Sequence, residues 1–242
     1  MKAMILAAGL GTRLRPLTET TPKPLLTLAG KPMIVHHIEA LVAAGVHELV
    51  INVSWLGHRI EEALGDGGGF GARIAYSREP GAPLDTGGGI RRALPLLGSD
   101  PFLLVAGDIW SDYPLSRLVT TALVARRLAH LVVVPNPPQH AAGDFSLDAA
   151  GRLGVAPDAS RCTYSGIALL TPALFDGWEE EVFPLREPLR RAAADGLLGG
   201  ELWVGDWEDV GTLERYTALN RRLLHRRKGL SASISASRVP DA

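Results

Sequence analysis

The stretch LAAGLGTRLRPLTETTPKPLL at residues 6–26 gathers groups suited to gripping an anion. Gly9 and Gly11 give the backbone access to positive φ and to close approach of a ligand. Successive N–H groups there, through Thr12, can form a concavity for phosphate oxygens. Arg13 brings a bidentate fork and Lys23 a compact charge. Pro22 and Pro24 restrict the backbone on both sides of Lys23, so its stem starts from a stiff platform. The plainer alternative is a glycine turn with exposed cations. Two familiar phosphate motifs are absent. No Gly-Lys-Ser/Thr triplet precedes a helix. The dinucleotide fingerprint would want Gly or Ala where Leu14 stands.

Phosphoryl and nucleotidyl transfer need polyphosphate charge neutralised, usually by Mg²⁺ on carboxylates. Asp108 ends the apolar run FLLVAGD, after Gly107, which would leave room for a ligand. Asp209 in GDWEDVGT follows a strand-like run and precedes a helix. Two carboxylates so far apart in sequence can share one ion only if the fold joins them. Aspartates also close turns and cap helices, and Asp209 is placed to cap the last helix. In PLDTGGGI, Gly87 and Gly88 would let backbone meet a flat base, or simply open a helix capped by Thr86. His36 and His37 are adjacent rather than four apart, so they make no helical metal pair. No serine sits in a nucleophile elbow and Cys162 lacks a sign of activation, so covalent catalysis is unsupported.

The elements that must position these groups alternate. KAMILA reads as a buried strand. Ile34, Ile38, Leu41 and Val42 then make the stripe of a helix, with Pro32 near its start and Gly45 at its end. Strands ELVINV, ARIAYS, FLLVAGD and AHLVVV follow, with helices over WLGHRIEEALG and GGIRRALPLL between the earlier ones. Such alternation predicts an α/β fold, a doubly wound and mostly parallel sheet flanked by helices. Beyond residue 135 the pattern loosens into small β insertions and the helix LREPLRRAAADG. A single domain is expected over residues 1–228, with a flexible tail over 229–242.

At 242 residues, 46% apolar and 21% charged, the composition suits one globular domain. A net charge of −1 gives no reason to expect nucleic acid or an anionic membrane as partner, so any phosphate affinity must be local. One cysteine excludes an intramolecular disulfide. The opening MKAMILAAGLG is broken by glycines too early for a signal peptide, and no apolar run approaches a membrane span, so a cytoplasmic location is expected. Oligomeric state is left open, a monomer being compatible.

Together, MILAAGLGTRLRPLTETTPKPLL, VAGDIW and WEDVGT resemble the sugar-phosphate nucleotidyltransferase family over residues 1 to about 225. Compact length, PLDTGGGI, PFLLVAGDIWSDY and YSGIALL look like its bacterial branch acting on N-acetylmuramate α-1-phosphate in peptidoglycan recycling. The resemblance implies UTP and a sugar 1-phosphate as substrates, with Mg²⁺ as cofactor. It implies a triphosphate loop of Gly9, Gly11, Thr12 and Arg13, with Lys23 bridging the α-phosphate and the sugar phosphate. Asp108 and Asp209 match the metal ligands. Leu84, Gly87 and Gly88 fall in the base loop, and Gly143, Asp144 and Gly166 where relatives hold the sugar. Arg13, Lys23 and Asp108 would be catalytic. This chain has Ala106 where close relatives carry Asn, and lacks the Glu-Lys pair of many thymidylyl relatives.

Overall fold

The computed structural model describes residues 1–121, 123, 127–156 and 160–236, with side chains as far as Arg227. Strand β1 (Lys2–Leu6) leads through helix α1 (Leu17–Thr20) and the ribbon β2 (Thr27–Leu28) with β3 (Lys31–Pro32). Helix α2 (Met33–Ala43), β4 (Glu48–Val53), α3 (Gly57–Leu64), β5 (Arg73–Arg78), α4 (Asp85–Leu97) and β6 (Phe102–Ala106) complete the alternating half. The other half holds β7 (Ile109–Ser111), α5 (Ser116–Val119), β8 (Ala129–Val134), β9 (Phe145–Leu147), β10 (Leu153–Gly154) and β11 (Arg161–Leu170). Then come α6 (Arg186–Ala194), β12 (Leu198–Leu202), β13 (Trp207–Asp209) and α7 (Leu213–Ala236).

Strand β1 is central because its side chains are apolar on both faces. Ala3 and Ile5 point to one core with Ile34, Ile38 and Leu41 of α2 and Ile60 of α3. Met4 points to the other, with Ile90 and Ala93 of α4 and Leu189 of α6. Helices therefore cover both faces, as a doubly wound sheet requires. Ile38 is fully buried, and truncation to Ala there would cost about 2–5 kcal/mol.

The sheet runs β10-β9-β11-β6-β1-β4-β5, with β8 on β11 and β12 on β8. β1 pairs in parallel with β4 and β6, and β4 with β5. At β6 the direction reverses: Ile167–Leu170 of β11 run antiparallel to Val105–Phe102. The sheet is thus mixed and mostly parallel, and the expected α/β class holds. A separate antiparallel ribbon, β7 with β13, is the feature that alternation could not reveal.

Helix α7 docks through Leu219 and Leu223 onto Leu28, Met33 and Val210. Its backbone stays helical through Ala236, and residues 237–242 of the expected tail lie outside the described residues. No described helix is long and apolar enough to cross a membrane.

Candidate active site

The loop after β1 leaves the sheet at its carboxyl edge, where ligands of such sheets bind. Gly11 has φ +64, and a Cβ there would lie 2.9 Å from Thr18 Cγ2. Thr18 Oγ1 donates to the Gly11 carbonyl at 2.7 Å, fixing the bend. Gly9 has nothing near a Cβ and is not in the left-handed region, so of the two only Gly11 needs glycine for its conformation. Gly9, Gly11, Thr12 and Arg13 line one side of a cleft of about 590 Å³, whose floor carries Lys23 and Asp108.

Lys23 opens a 3₁₀ turn (Lys23–Leu25) straight after Pro22. Its side chain is only 10% exposed, and Nζ meets Asp108 Oδ2 at 2.8 Å. An ammonium so buried is costly without a counter-charge, so the pair holds both side chains in place. Asp108 itself remains half-open to the cleft. Gly107 lines the cleft, yet the place of its missing side chain is taken by the chain itself. Its N–H donates to the Leu6 carbonyl at 2.9 Å, and a Cβ would sit 2.3 Å from that oxygen. Neighbouring backbone, not a ligand, demands this glycine.

The β7–β13 ribbon answers whether the two aspartates meet. Asp209 stands opposite Ile109, and Val210 N–H donates to the Asp108 carbonyl at 2.9 Å. The two acidic residues are therefore neighbours across one ribbon end. Asp209 does not cap α7, where Thr212 Oγ1 accepts from Arg215 N–H. Instead Asp209 Oδ2 pairs with Arg215 Nη2 at 3.2 Å, and a Cβ on Gly211 would lie 2.2 Å from that nitrogen, so a side chain there would displace the guanidinium. Asp108 Oδ1 and Asp209 Oδ1 accept no hydrogen bond from the described residues. Beneath the ribbon lies His37 of α2, buried, with Nε2 unpartnered among the described residues; burial pushes its pKa down to about 4.

A second lobe of about 520 Å³ shares Arg13, Thr86 and Asp108 with the first. Asp144 and Gly166 line it; Gly143 does not, being a turn glycine at φ +61 packed on Asn136. Asp144 accepts from Tyr164 N–H at 2.8 Å and meets His140 Nε2 at 3.1 Å. Gly166 has φ +85 at a bulge in β11, pinned where Trp207 Nε1 donates to the Ser165 carbonyl at 2.8 Å. Asp209 and Arg215 also face this lobe.

Leu84, Gly87 and Gly88 are buried behind the first lobe, where Pro83, Asp85 and Thr86 present the surface. The N–H groups of Gly87 and Gly88 both go to the Phe183 carbonyl, at 2.9 and 3.1 Å. A Cβ at Gly88 would lie 2.2 Å from the Glu181 carbonyl oxygen. Thr86 Oγ1 accepts from Leu185 N–H at 2.8 Å instead of capping α4. Asp85, with φ +60, is the non-glycine residue that bends the loop.

Sequence reasoning missed a buried relay in the first lobe. Ala7 N–H donates to Asn52 Oδ1 at 2.8 Å, Asn52 Nδ2 donates to Glu79 Oε1 at 2.7 Å, and Glu79 Oε2 accepts from Leu84 N–H at 2.8 Å. This ties the glycine loop to residues 79–84. Its visible signal was a polar Asn52 inside the apolar run ELVINV.

A left-handed loop glycine, a paired lysine and two joined acids lie at the edge of a doubly wound sheet, and residues 2–154 match the nucleotidyl transferase family. The chain belongs to that family. It is 49% identical over 220 residues to the N-acetylmuramate alpha-1-phosphate uridylyltransferase of Neisseria meningitidis, covering 89% of this chain and 95% of the relative. The protein of the same description from Caulobacter vibrioides is 35% identical over 232 residues, covering 91% and 96%. A Bacillus anthracis crystal structure, described as a glucose-1-phosphate thymidylyltransferase in complex with sucrose, superposes with a TM-score of 0.81 at 20% identity, over 93% of this chain and 95% of that one. The chain is a sugar-phosphate nucleotidyltransferase.

Proposed function

We propose that this nucleotidyltransferase moves UMP from UTP to N-acetylmuramate α-1-phosphate, releasing pyrophosphate, in the cytoplasmic recycling of peptidoglycan. The likeness at 49% over nearly the full length of the Neisseria relative carries this reading. The two-lobed cleft supports it: one lobe holds the nucleotide, the other the acceptor, and Arg13 and Asp108 stand where they meet.

A sugar-phosphate oxygen attacks the α-phosphorus in line. One P–O bond forms, the α–β bridge breaks, and the electron pair leaves with pyrophosphate. The nucleophile is already an anion, so no side chain must take a proton. Catalysis then comes down to positioning and charge. Lys23 holds the α-phosphate and the acceptor phosphate against mutual repulsion, while Arg13 stabilises the departing pyrophosphate. Gly9, Gly11 and Thr12 offer backbone N–H groups to the triphosphate. Pro83, Asp85 and Thr86 present the wall against which the uracil lies, and Leu84, Gly87 and Gly88 pack behind it. Asp144 and Gly166 bound the sugar, with Gly143 shaping the turn behind them.

Asp108 and Asp209 would hold Mg²⁺. Each keeps one carboxylate oxygen without a partner among the described residues, and no described cluster of three or more His, Cys, Asp or Glu could hold an ion alone. That donor set fits an ion that retains waters and leans on substrate phosphates. Bound there, Mg²⁺ would neutralise the polyphosphate charge.

A product screen by mass spectrometry, crossing four nucleoside triphosphates with a panel of sugar 1-phosphates, tests the reading. UDP-N-acetylmuramate should dominate. Strong preference for GTP, or for glucose 1-phosphate, would overturn the named substrates and leave the transfer chemistry standing.

A further inference from the structure

Three arginines and a histidine line the second lobe: Arg13, Arg186, Arg215 and His140. Two already have carboxylate partners. Arg215 meets Asp209 at 3.2 Å, and His140 meets Asp144 at 3.1 Å. Arg13 and Arg186 have no hydrogen-bond or ion-pair partner among the described residues. Arg13 also lines the first lobe, where the triphosphate supplies its counter-charge. Arg186 faces the second lobe alone. With the acceptor phosphate held by Lys23, a neutral sugar would offer that guanidinium no counter-charge beyond solvent.

The backbone carrying Arg186 is fixed to the nucleotide lobe. Leu185 N–H donates to Thr86 Oγ1 at 2.8 Å, and the Phe183 carbonyl accepts from Gly87 and Gly88. Arg186 therefore starts from a placed anchor at the head of α6, though its side chain is exposed. A planar fork on such an anchor suits a carboxylate, which it can bind through two parallel bonds.

We propose that Arg186 is an acceptor-specificity residue: it pairs with a carboxylate on the sugar, so the lobe selects a sugar 1-phosphate bearing a second anion. This rests on reading the second lobe as the acceptor site, and it supplies a chemical reason for N-acetylmuramate, which carries a lactyl carboxylate, over sugars that lack one.

The test uses two matched pairs of acceptors with UTP. N-acetylmuramate 1-phosphate is set against N-acetylglucosamine 1-phosphate, and glucuronate 1-phosphate against glucose 1-phosphate. In the unmodified enzyme kcat/KM should favour the carboxylate member of each pair. Arg186→Gln should shrink that preference about 10- to 100-fold, mainly through acceptor KM, as expected for loss of a charge-assisted bond. Arg186→Lys should recover part of it. Should the unmodified enzyme refuse N-acetylmuramate 1-phosphate yet prefer glucuronate over glucose in an Arg186-dependent way, the acceptor assignment fails and the role of Arg186 stands. Should N-acetylmuramate 1-phosphate be the best acceptor while Arg186→Gln leaves both preferences intact, the acceptor assignment stands and the role of Arg186 is overturned.

Discussion

The two halves of the cleft are walled by different materials. Around the first lobe, which we propose holds the nucleotide, β1 pairs in parallel with β4 and β6 and β4 with β5, and the wall is backbone fitted against backbone: Gly107 against the Leu6 carbonyl, Gly88 against the Glu181 carbonyl. Its buried polar groups, Asn52 and Glu79, are fully bonded to one another and to main chain. Around the second lobe, which we propose holds the acceptor, β11 runs antiparallel to β6, β8 and β9, and the wall is made of side chains in ion pairs. It also has loose ends, among them the Tyr164 hydroxyl, buried without a partner among the described residues. A substrate part held by backbone can be changed only by rebuilding the fold. One held by side chains can be changed by a single substitution.

The largest effect belongs to the seam between the halves, where that distinction should vanish. Asp108→Asn removes the counter-charge of Lys23 and one proposed metal ligand together. Pyrophosphate release at saturating Mg²⁺ should fall about 10²- to 10³-fold, the usual scale for one preorganised electrostatic group. The loss should be alike for every nucleotide and acceptor the enzyme takes. Unchanged turnover would remove Asp108 from the chemistry. A loss confined to one acceptor would instead move Asp108 wholly into the second lobe.

A second probe of the seam is pH. His37 lies under the ribbon end, and desolvation, with His36 adding to it, depresses its pKa to about 4 against an ordinary 6.5, despite the opposing pull of Asp108. Above pH 6.5 native and unfolded chains both keep it neutral, and its contribution to stability is whole. Below that the unfolded chain takes up a proton the native chain refuses, so stability falls as pH drops from 6.5 toward 4. The fall should total about 3 kcal/mol from this residue. Urea midpoints at pH 7 and pH 5, in EDTA, read it directly, and His37→Gln should flatten the dependence. An equal slope in that variant would place the proton elsewhere.

How much of this was legible in the chain follows the same division. Glycine spacing, paired prolines and the apolar β1 and β6 runs are local, so they pointed directly to the parallel half and to the glycine loop at its edge. Asp108 and Asp209 could be picked out as candidates, but nothing local says that Asp209 stands opposite Ile109, because ribbon pairing across a hundred residues leaves no period to read. Glycines were the least legible. Gly87, Gly88 and Gly107 looked like space for a ligand, yet each is filled by the chain's own backbone or Phe183. Composition alone cannot separate a glycine that makes room from one that lets two chain segments touch.

On the nucleotide side, Glu79→Gln tests whether the relay is as tight as it looks. The carboxylate accepts one bond on each oxygen, from Asn52 Nδ2 and from Leu84 N–H. A carboxamide has one acceptor oxygen, so a donor must face a donor. Flipping Asn52 only passes the conflict to Ala7 N–H, which Asn52 Oδ1 now accepts. The buried mismatch should cost about 1–3 kcal/mol in a urea titration and raise KM for UTP while leaving the ranking of acceptors intact. A variant as stable as the parent would show that this wall has slack.

The smallest expected effect lies across the seam and has the opposite sign. Tyr164 donates its backbone N–H to Asp144, so its main chain is anchored, yet its hydroxyl is buried with no partner among the described residues. Burial also drives the phenol pKa well up, so the group stays protonated and keeps a donor that it cannot place. Tyr164→Phe keeps the ring and the β11 backbone and deletes only the unplaced group. Because an unbonded buried hydroxyl costs the native state its hydration, the variant should match the parent or gain up to about 1 kcal/mol. For a chain of this size that is a rise in Tm of about 2–4 °C at most. Destabilisation by more than about 1 kcal/mol would mean that the hydroxyl has a partner after all. The acceptor wall would then be as fully bonded as the nucleotide wall, and the contrast between them would reduce to strand direction.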